Sequence, residues 1–178
     1  MKLKKIAAIC KAEGTAILWD VTDSEGVVHQ WICAGGSSYP VEGLPYLTQE
    51  QMTRVLDLSE KQIEKMKIEH TPAPKSFDFS DTADGEIEAK EWPFSVVYGG
   101  TVYLPVSCEE RTLFLDFARL TPIVAEYKDI SVWLRESPNG LSYYAIKAGM
   151  LCVGIVAPSV GLDELAERMY RAAGEYRE

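Results

Sequence analysis

The sequence lacks the residue patterns that hold metal ions. It contains only two histidines, His29 and His70, and neither lies at ligand spacing from another histidine, a cysteine or a carboxylate. The cysteines lie far apart and form no Cys-x-x-Cys pair; they are Cys10, Cys33, Cys108 and Cys152. We therefore expect no metal ion and no bound cofactor, and we interpret the cysteines as buried thiols that pack as small apolar groups in a reducing compartment.

Long apolar runs and an excess of positive charge are also missing. No apolar run approaches the length of a membrane span and no secretory signal precedes the first helix, so we predict a cytoplasmic protein that does not cross a membrane. The formal net charge of −9 excludes a surface that attracts nucleic acid as a whole. It leaves room for one basic face on the first helix, which carries Lys2, Lys4, Lys5 and Lys11.

Motifs for nucleophilic or phosphate chemistry are missing too. There is no Gly-x-Ser-x-Gly sequence, and the Gly-Gly-Ser-Ser stretch at residues 35–38 has neither the lysine nor the following helix of a phosphate-binding loop. Asp20, Asp23 and Glu25 offer oxygen ligands for a cation, but they fall on a predicted hairpin turn, where such side chains usually bond locally. We predict that the protein is not an enzyme.

What the sequence does contain is a weak internal repeat. Residues 17–36 align with residues 131–150 without a gap. The alignment matches Trp19 with Trp133, Gly26 with Gly140, Ile32 with Ile146, Ala34 with Ala148, and Gly35 with Gly149. Repetition of a supersecondary unit indicates how a chain is built. At 178 residues with 47 % hydrophobic content, the chain is predicted to form a single domain over 1–178, with pseudo-repeats at about 1–58 and 101–178 joined by a helical and acidic segment, 59–100.

Local patterns predict the elements of the first repeat and of the segment that joins the repeats. A helical stripe ends at Gly14 and is followed by strands over 15–22, 27–34 and 37–41. Capping boxes at Thr48 with Gln51 and at Ser59 with Gln62 predict the starts of two short helices. Residues 71–91 are rich in proline and acidic side chains, which favours a loop or mobile excursion.

The second repeat is predicted in the same way. A hairpin over 94–107 turns at Gly99 and Gly100. A third capping box, Ser107 with Glu110, predicts a helix that Pro122 ends or kinks. Strands over 130–136, 141–147 and 150–157 and a final amphipathic helix complete the chain.

Two resemblances accompany these patterns. The doubled unit, with the stretches TVYLPVSCEE at 101–110 and YAIKAGMLCVGIVAP at 144–158, resembles a domain of the DNA sliding clamps and implies an α+β fold of internally duplicated units, each a helix plus a three-stranded antiparallel sheet. About the first 70 residues, with Gln-Trp-Ile, Gly-Gly and Leu-Asp-Leu-Ser-Glu-Lys-Gln between positions 30 and 62, resemble uncharacterised proteins of Firmicutes genomes and their prophages. The second resemblance implies a bacterial or phage origin and no particular activity.

Two functions follow as hypotheses. The leading one is a non-enzymatic cytoplasmic protein that acts through contacts with a protein partner or through self-association. Trp31 and Tyr144, where the repeats differ, are the predicted surface anchors. The alternative is a clamp-like accessory module that binds DNA through Lys4, Lys5 and Lys11.

Overall fold

The computed structural model describes residues 2–108 and 111–175 of an α+β protein with a large mixed sheet. The helices in this part of the chain are α1 (Lys2–Glu13), α2 (Gln49–Val55), α3 (Glu60–Lys65), α4 (Phe117–Val124) and α5 (Asp163–Glu175). The first strands are β1 (Thr15–Thr22), β2 (Val28–Ala34), β3 (Ser37–Pro40), β4 (Lys67–Pro72) and β5 (Ile87–Glu91). The later ones are β6 (Val96–Tyr98), β7 (Thr101–Cys108), β8 (Arg111–Asp116), β9 (Ser131–Glu136), β10 (Ser142–Ala148) and β11 (Leu151–Val156).

The strands are joined in the order β4-β1-β2-β3-β11-β10-β9-β5-β7-β6, and β8 pairs with the other side of β7. β4 runs parallel to β1, whereas the other pairings among the described strands are antiparallel. β5 turns the corner of the sheet, because Ile87 and Ala89 pair with β9 while Lys90 and Glu91 pair with β7. The β6–β7 hairpin turns at Gly99 and Gly100, as the sequence predicts.

The gap-free sequence repeat falls on two equivalent meanders, β1-β2-β3 and β9-β10-β11. The meanders meet edge to edge through β3 and β11, where Ser37 pairs with Val156 and Ser38 with Ile155. Gly35 and Gly149 occupy equivalent tight turns at φ of 56° and 62°, a region that favours glycine. The likeness to sliding clamps goes beyond these observations and stays a prediction.

Helices α1 and α4 cover one face of the central strands. Ile6 and Cys10 of α1 and Leu120 and Ile123 of α4 are buried there. The hydroxyl of Tyr39, also buried, donates to the carbonyl oxygen of Arg119 at 2.6 Å and so fixes α4 to β3. Burying this apolar face supplies most of the driving force for folding.

The prediction of a helix that begins at Ser107 is wrong. Residues 101–108 form β7, which pairs with β8 from Tyr103 opposite Asp116 to Cys108 opposite Arg111, and Glu110 lies outside the described residues. Thr112 and Phe114 are buried on one face of β8 and Leu115 is buried on the other, so cross-strand packing outweighs the capping pattern. The helix begins instead at Phe117, where the Asp116 carboxylate accepts a hydrogen bond from the Ala118 N–H at 2.9 Å.

Pro122 lies inside α4 rather than ending it. Proline has no N–H to donate to the Ala118 carbonyl one turn earlier. The Thr121 hydroxyl donates to that carbonyl at 2.8 Å, so the oxygen keeps a partner. The capping boxes of Thr48 with Gln51 and of Ser59 with Gln62 are confirmed at the starts of α2 and α3.

The acidic segment is not an excursion from the body of the protein. Its ends form β4 and β5, and residues 73–86 between them pack against the face of the sheet opposite α1 and α4. The prediction of irregular structure is right for 73–86, but the expectation of a mobile segment misses aromatic side chains that hold it on the sheet.

Candidate binding groove

A second, smaller apolar cluster covers the face of the sheet opposite the helices. Its buried members are Trp31, Tyr143, Ala145, Cys152 and Ile155. The chain between β4 and β5 crosses this face, and we call residues 75–81 the strap. Because the sheet is covered on both faces, its central strands have few residues that reach solvent.

Two phenylalanines anchor the strap on the cluster. The ring of Phe77 lies 5.1 Å from that of Tyr143, and the ring of Phe79 lies 5.0 Å from that of Trp31, both edge to face. Phe79 also meets Trp19 at 5.9 Å. Such aromatic pairs add about 0.5–1.5 kcal/mol each beyond the area they bury.

Hydrogen bonds from the sheet fix the strap backbone. One guanidinium nitrogen of Arg135 donates to the carbonyl oxygens of Asp78 and Ser80, each at 2.9 Å. The Asp78 N–H donates to the Tyr143 hydroxyl at 2.8 Å, and the Cys152 N–H donates to the Asp81 carboxylate at 2.8 Å. The strap is therefore bonded to β9, β10 and β11 as well as packed on them.

A buried ion cluster lies where the chain that crosses the sheet reaches β5. Glu86 accepts from Arg135 at 2.9 Å and also binds the ammonium group of Lys147, which lies 4.4 Å from the centroid of the Trp133 ring. The side chains of Arg135, Lys147 and Glu86 are only 1 %, 4 % and 8 % exposed. Burial alone would raise the pKa of Glu86, but the hydrogen bonds and charges of Lys147 and Arg135 outweigh it and lower the pKa below its ordinary value.

Beside the strap lies an open groove with a volume of about 860 Å³. Trp31, Tyr143 and Phe79 contribute to its floor, and the end of the β1–β2 hairpin and residues 40–42 also line it. Its lining includes five carboxylates against Lys75 and His29; they are Asp23, Glu42, Asp78, Asp81 and Glu136. The groove thus combines an aromatic floor with a rim of predominantly negative charge.

The pKa values of two groove residues, Asp23 and Cys152, are shifted in opposite directions. The pKa of Asp23 is lowered, first by the hydrogen bond with His29 at 2.9 Å and then by the N–H groups of Val27 and Glu25. Burial raises the pKa of the Cys152 thiol to about 11, so the thiol stays protonated at neutral pH. The rim carries charge, whereas the buried thiol supplies no nucleophile.

A separate polar cluster surrounds Asp20 on the other face of β1. The Asp20 carboxylate accepts hydrogen bonds from the Tyr46 hydroxyl at 2.6 Å and from Gln30 at 2.9 Å, and it lies 3.0 Å from Nε2 of His70. Burial would raise the pKa of Asp20, but these hydrogen bonds together lower it. Gln30 also exchanges two hydrogen bonds with the backbone of Leu47, so the cluster ties the loop before α2 to β1 and β4.

The three acids considered as cation ligands are not brought together. Asp20 belongs to the cluster with His70, whereas Asp23 accepts from the backbone of its own turn, including the Glu25 N–H. Among residues 2–108 and 111–175, no group of three or more potential metal ligands gathers. In the same part of the chain, no helix is both long enough and apolar enough to cross a membrane.

The predicted surface anchors are buried. Trp31 is 4 % exposed and Tyr144 is 0 % exposed, so the expectation that they reach a partner from the surface is wrong. Trp31 lies under Phe79 in the smaller cluster, and Tyr144 lies in the main core beneath the helices. Sequence comparison of the repeats could not show this, because both faces of β2 and β10 are covered.

The predicted basic face is less basic than the sequence indicates. Lys4 and Lys11 are exposed and Lys5 is half-buried, but Lys11 donates to the Asp57 carbonyl oxygen at 2.9 Å. Lys2 is buried between the carboxylates of two glutamates, Glu42 at 3.6 Å and Glu126 at 3.7 Å. DNA binding through these lysines stays a prediction.

Comparison with protein-family models, with curated proteins and with solved structures finds no match to this chain. The resemblances to sliding clamps and to Firmicutes and prophage proteins therefore stay predictions. The strap and its groove are what sequence reasoning missed. Phe77 and Phe79 were the available signal, because two aromatic side chains separated by one residue are unusual within an acidic, proline-rich loop.

Proposed function

We propose that this chain is a non-enzymatic binding protein whose groove holds a basic segment of a partner protein. The observation that carries the proposal is the groove beside the strap, with an aromatic floor and five carboxylates in its lining. A segment that alternates lysine or arginine with apolar side chains fits both properties, because its cations meet the rim and its apolar groups meet the half-buried rings of Phe77 and Phe79.

The test uses a labelled peptide that alternates lysine and leucine, titrated against the protein and followed by fluorescence anisotropy. We expect binding that weakens as salt is added, because exposed charges are screened. A peptide with glutamate in place of lysine is the matched ligand control.

The variant that carries the test is Asp78→Asn with Glu136→Gln, since both side chains are exposed at the groove. Glu60→Gln with Glu64→Gln changes the net charge equally on exposed positions of α3, away from the groove, and is the matched control. We expect the groove variant to weaken binding about threefold to tenfold and the α3 variant to leave it unchanged. Equal binding of the acidic peptide, or equal loss in both variants, would refute the proposal.

A further inference from the structure

The chain contains one asparagine, Asn139, and a glycine follows it. Both residues are exposed in the turn that joins β9 to β10. Gly140 has a φ of 77°, and no atom lies within 4 Å of the place where its Cβ would be. Asparagine is among the chemically labile residues, and a glycine nitrogen has no side chain to shield it. This turn is therefore a candidate site of covalent modification.

The reaction available to this pair is deamidation, which needs no partner except water. The Gly140 nitrogen attacks Cγ of Asn139, and the new carbon–nitrogen bond closes a succinimide ring. The side-chain nitrogen of Asn139 leaves as ammonia and takes up the proton that Gly140 loses. Water then opens the ring at either carbonyl carbon, which leaves an aspartate or an isoaspartate. The first step requires that the Gly140 nitrogen loses its proton and reaches Cγ.

Hydrogen bonds to Ser137 hold both reacting groups in the folded turn. The Gly140 N–H donates to the Ser137 carbonyl oxygen at 2.9 Å, and the Ser137 hydroxyl donates to Oδ1 of Asn139. The same hydroxyl accepts from the Leu141 N–H at 2.9 Å, and the Ser137 N–H donates to the Leu141 carbonyl oxygen at 2.9 Å. Ser137 is only 5 % exposed, although the residues that follow it are exposed. One buried serine thus fixes the nitrogen that attacks and the carbonyl group that is attacked.

We propose that Asn139 is a deamidation site that the folded turn keeps unreactive, with Ser137 as the positioning residue. The bond to the Ser137 carbonyl oxygen stabilises the protonated Gly140 nitrogen, so the nucleophile forms less readily. The Asn139 side chain must also leave the Ser137 hydroxyl before Cγ can turn toward Gly140. Deamidation therefore requires the turn to open, and such local opening costs less free energy than global unfolding.

The site lies on the hairpin that holds the strap. Arg135 on β9 and Tyr143 on β10 both bond the strap backbone, and the turn joins these two strands. An isoaspartate adds a methylene group to the backbone of this turn, and either product adds a carboxylate one residue after Pro138, which lines the groove. Because turn geometry sets the register of a hairpin, modification of Asn139 disturbs the placement of Arg135 and Tyr143 under the strap.

The experiment is peptide mapping by mass spectrometry of the full chain, incubated at mildly alkaline pH either folded or unfolded in guanidinium chloride. Alkaline pH speeds the reaction because the attacking nitrogen must lose its proton. We expect Asn139 to deamidate about tenfold more slowly, or slower still, in the folded chain, because the native turn is closed most of the time. Equal rates in the folded and the unfolded chain would overturn the proposal.

Ser137→Ala tests the role of the serine. We expect the folded variant to deamidate about fivefold faster than the unmodified chain, because two hydrogen bonds of the turn are lost. Ser131→Ala, which removes the hydroxyl that accepts from the Trp133 indole on the same strand, is the matched control and should leave the rate unchanged.

Amide exchange separates opening of the turn from unfolding of the whole chain. In Ser137→Ala, the Gly140 N–H should exchange faster, whereas the N–H of Ile146, in the middle of β10 and paired on both sides, should keep its rate. A folded Ser137→Ala chain that deamidates at the unmodified rate, an equal acceleration in Ser131→Ala, or faster exchange that affects Ile146 as much as Gly140 would overturn the proposal.

Discussion

Replacing Glu86 by glutamine removes the carboxylate that contacts both Arg135 and Lys147. The change keeps the shape of the side chain but leaves two cations in a site where they are only 1 % and 4 % exposed. Arg135 cannot regain water without lifting the strap, because it also donates to the strap carbonyl oxygens of Asp78 and Ser80. The substitution therefore tests how strongly the ion cluster stabilises the strap crossing.

The magnitude follows from the burial of the cluster. Removing one partner of a buried ion pair costs about 3–5 kcal/mol, because the remaining charge is uncompensated. For a chain of this length, we expect Glu86→Gln to lower the melting temperature on the order of 10 °C. Glu50→Gln is the matched control: it breaks the exposed pair with Arg54, whose side chains are both 75 % exposed, and should cost about 0.3–0.5 kcal/mol.

Urea unfolding followed by circular dichroism measures both variants against the unmodified chain. A reduction in unfolding free energy that is no larger for Glu86→Gln than for Glu50→Gln would refute the reasoning. The same titration at several pH values gives a second check. Because the folded pKa of Glu86 is lowered, its stabilisation is present above the unfolded pKa and is lost as pH falls through the folded pKa. The variant should therefore lack this part of the acid destabilisation.

Three further substitutions are tested in the same urea assay. Asp20→Asn weakens the hydrogen bonds from Tyr46 and His70 and should lower the free energy of unfolding by about 2 kcal/mol at neutral pH. The difference from the unmodified chain should shrink as pH falls through the lowered pKa of Asp20, and a difference that stays constant with pH would contradict this. Gly149→Ala places a methyl group in open space at a backbone φ of 62° and should lower the free energy of unfolding by about 1–2 kcal/mol. Gly35→Ala, at φ of 56°, should lower it at least as much, because the new methyl group must also displace the side chain of Glu13. A smaller loss for Gly35→Ala than for Gly149→Ala would contradict this close approach of Glu13.

The sequence predicted the parts of the fold that local patterns determine. Both meanders, the glycine turns between their strands and the capping boxes at Thr48 and Ser59 follow from residues close together in the chain. The error at Ser107 has the opposite origin. Its capping pattern is real, but β7 and β8 bury their side chains against each other and against the core, and tertiary packing of this kind overrides local propensity.

The candidate groove could not be predicted because it depends on contacts between distant residues. Phe79 reaches Trp31, and Asp78 reaches Arg135 and Tyr143, across separations that no local pattern records. The same contacts explain why Trp31 is buried although the repeat singled it out as an exposed aromatic. The difference between the repeats at Trp31 therefore indicated a strand that lines the groove, but the Trp31 side chain packs inside the protein and is not exposed.

The pairing of Ser38 with Ile155 sets an order of events when the chain is made. A ribosome adds about 5–20 residues per second, so β3 waits on the order of ten seconds before β11 is synthesised. During that time the N-terminal meander has an open edge at Ser37 and Ser38 and an uncovered ring at Trp31, since the strap alone has few partners until β9 and β10 emerge. A nascent chain arrested before β11 therefore exposes a strand edge that the finished protein covers.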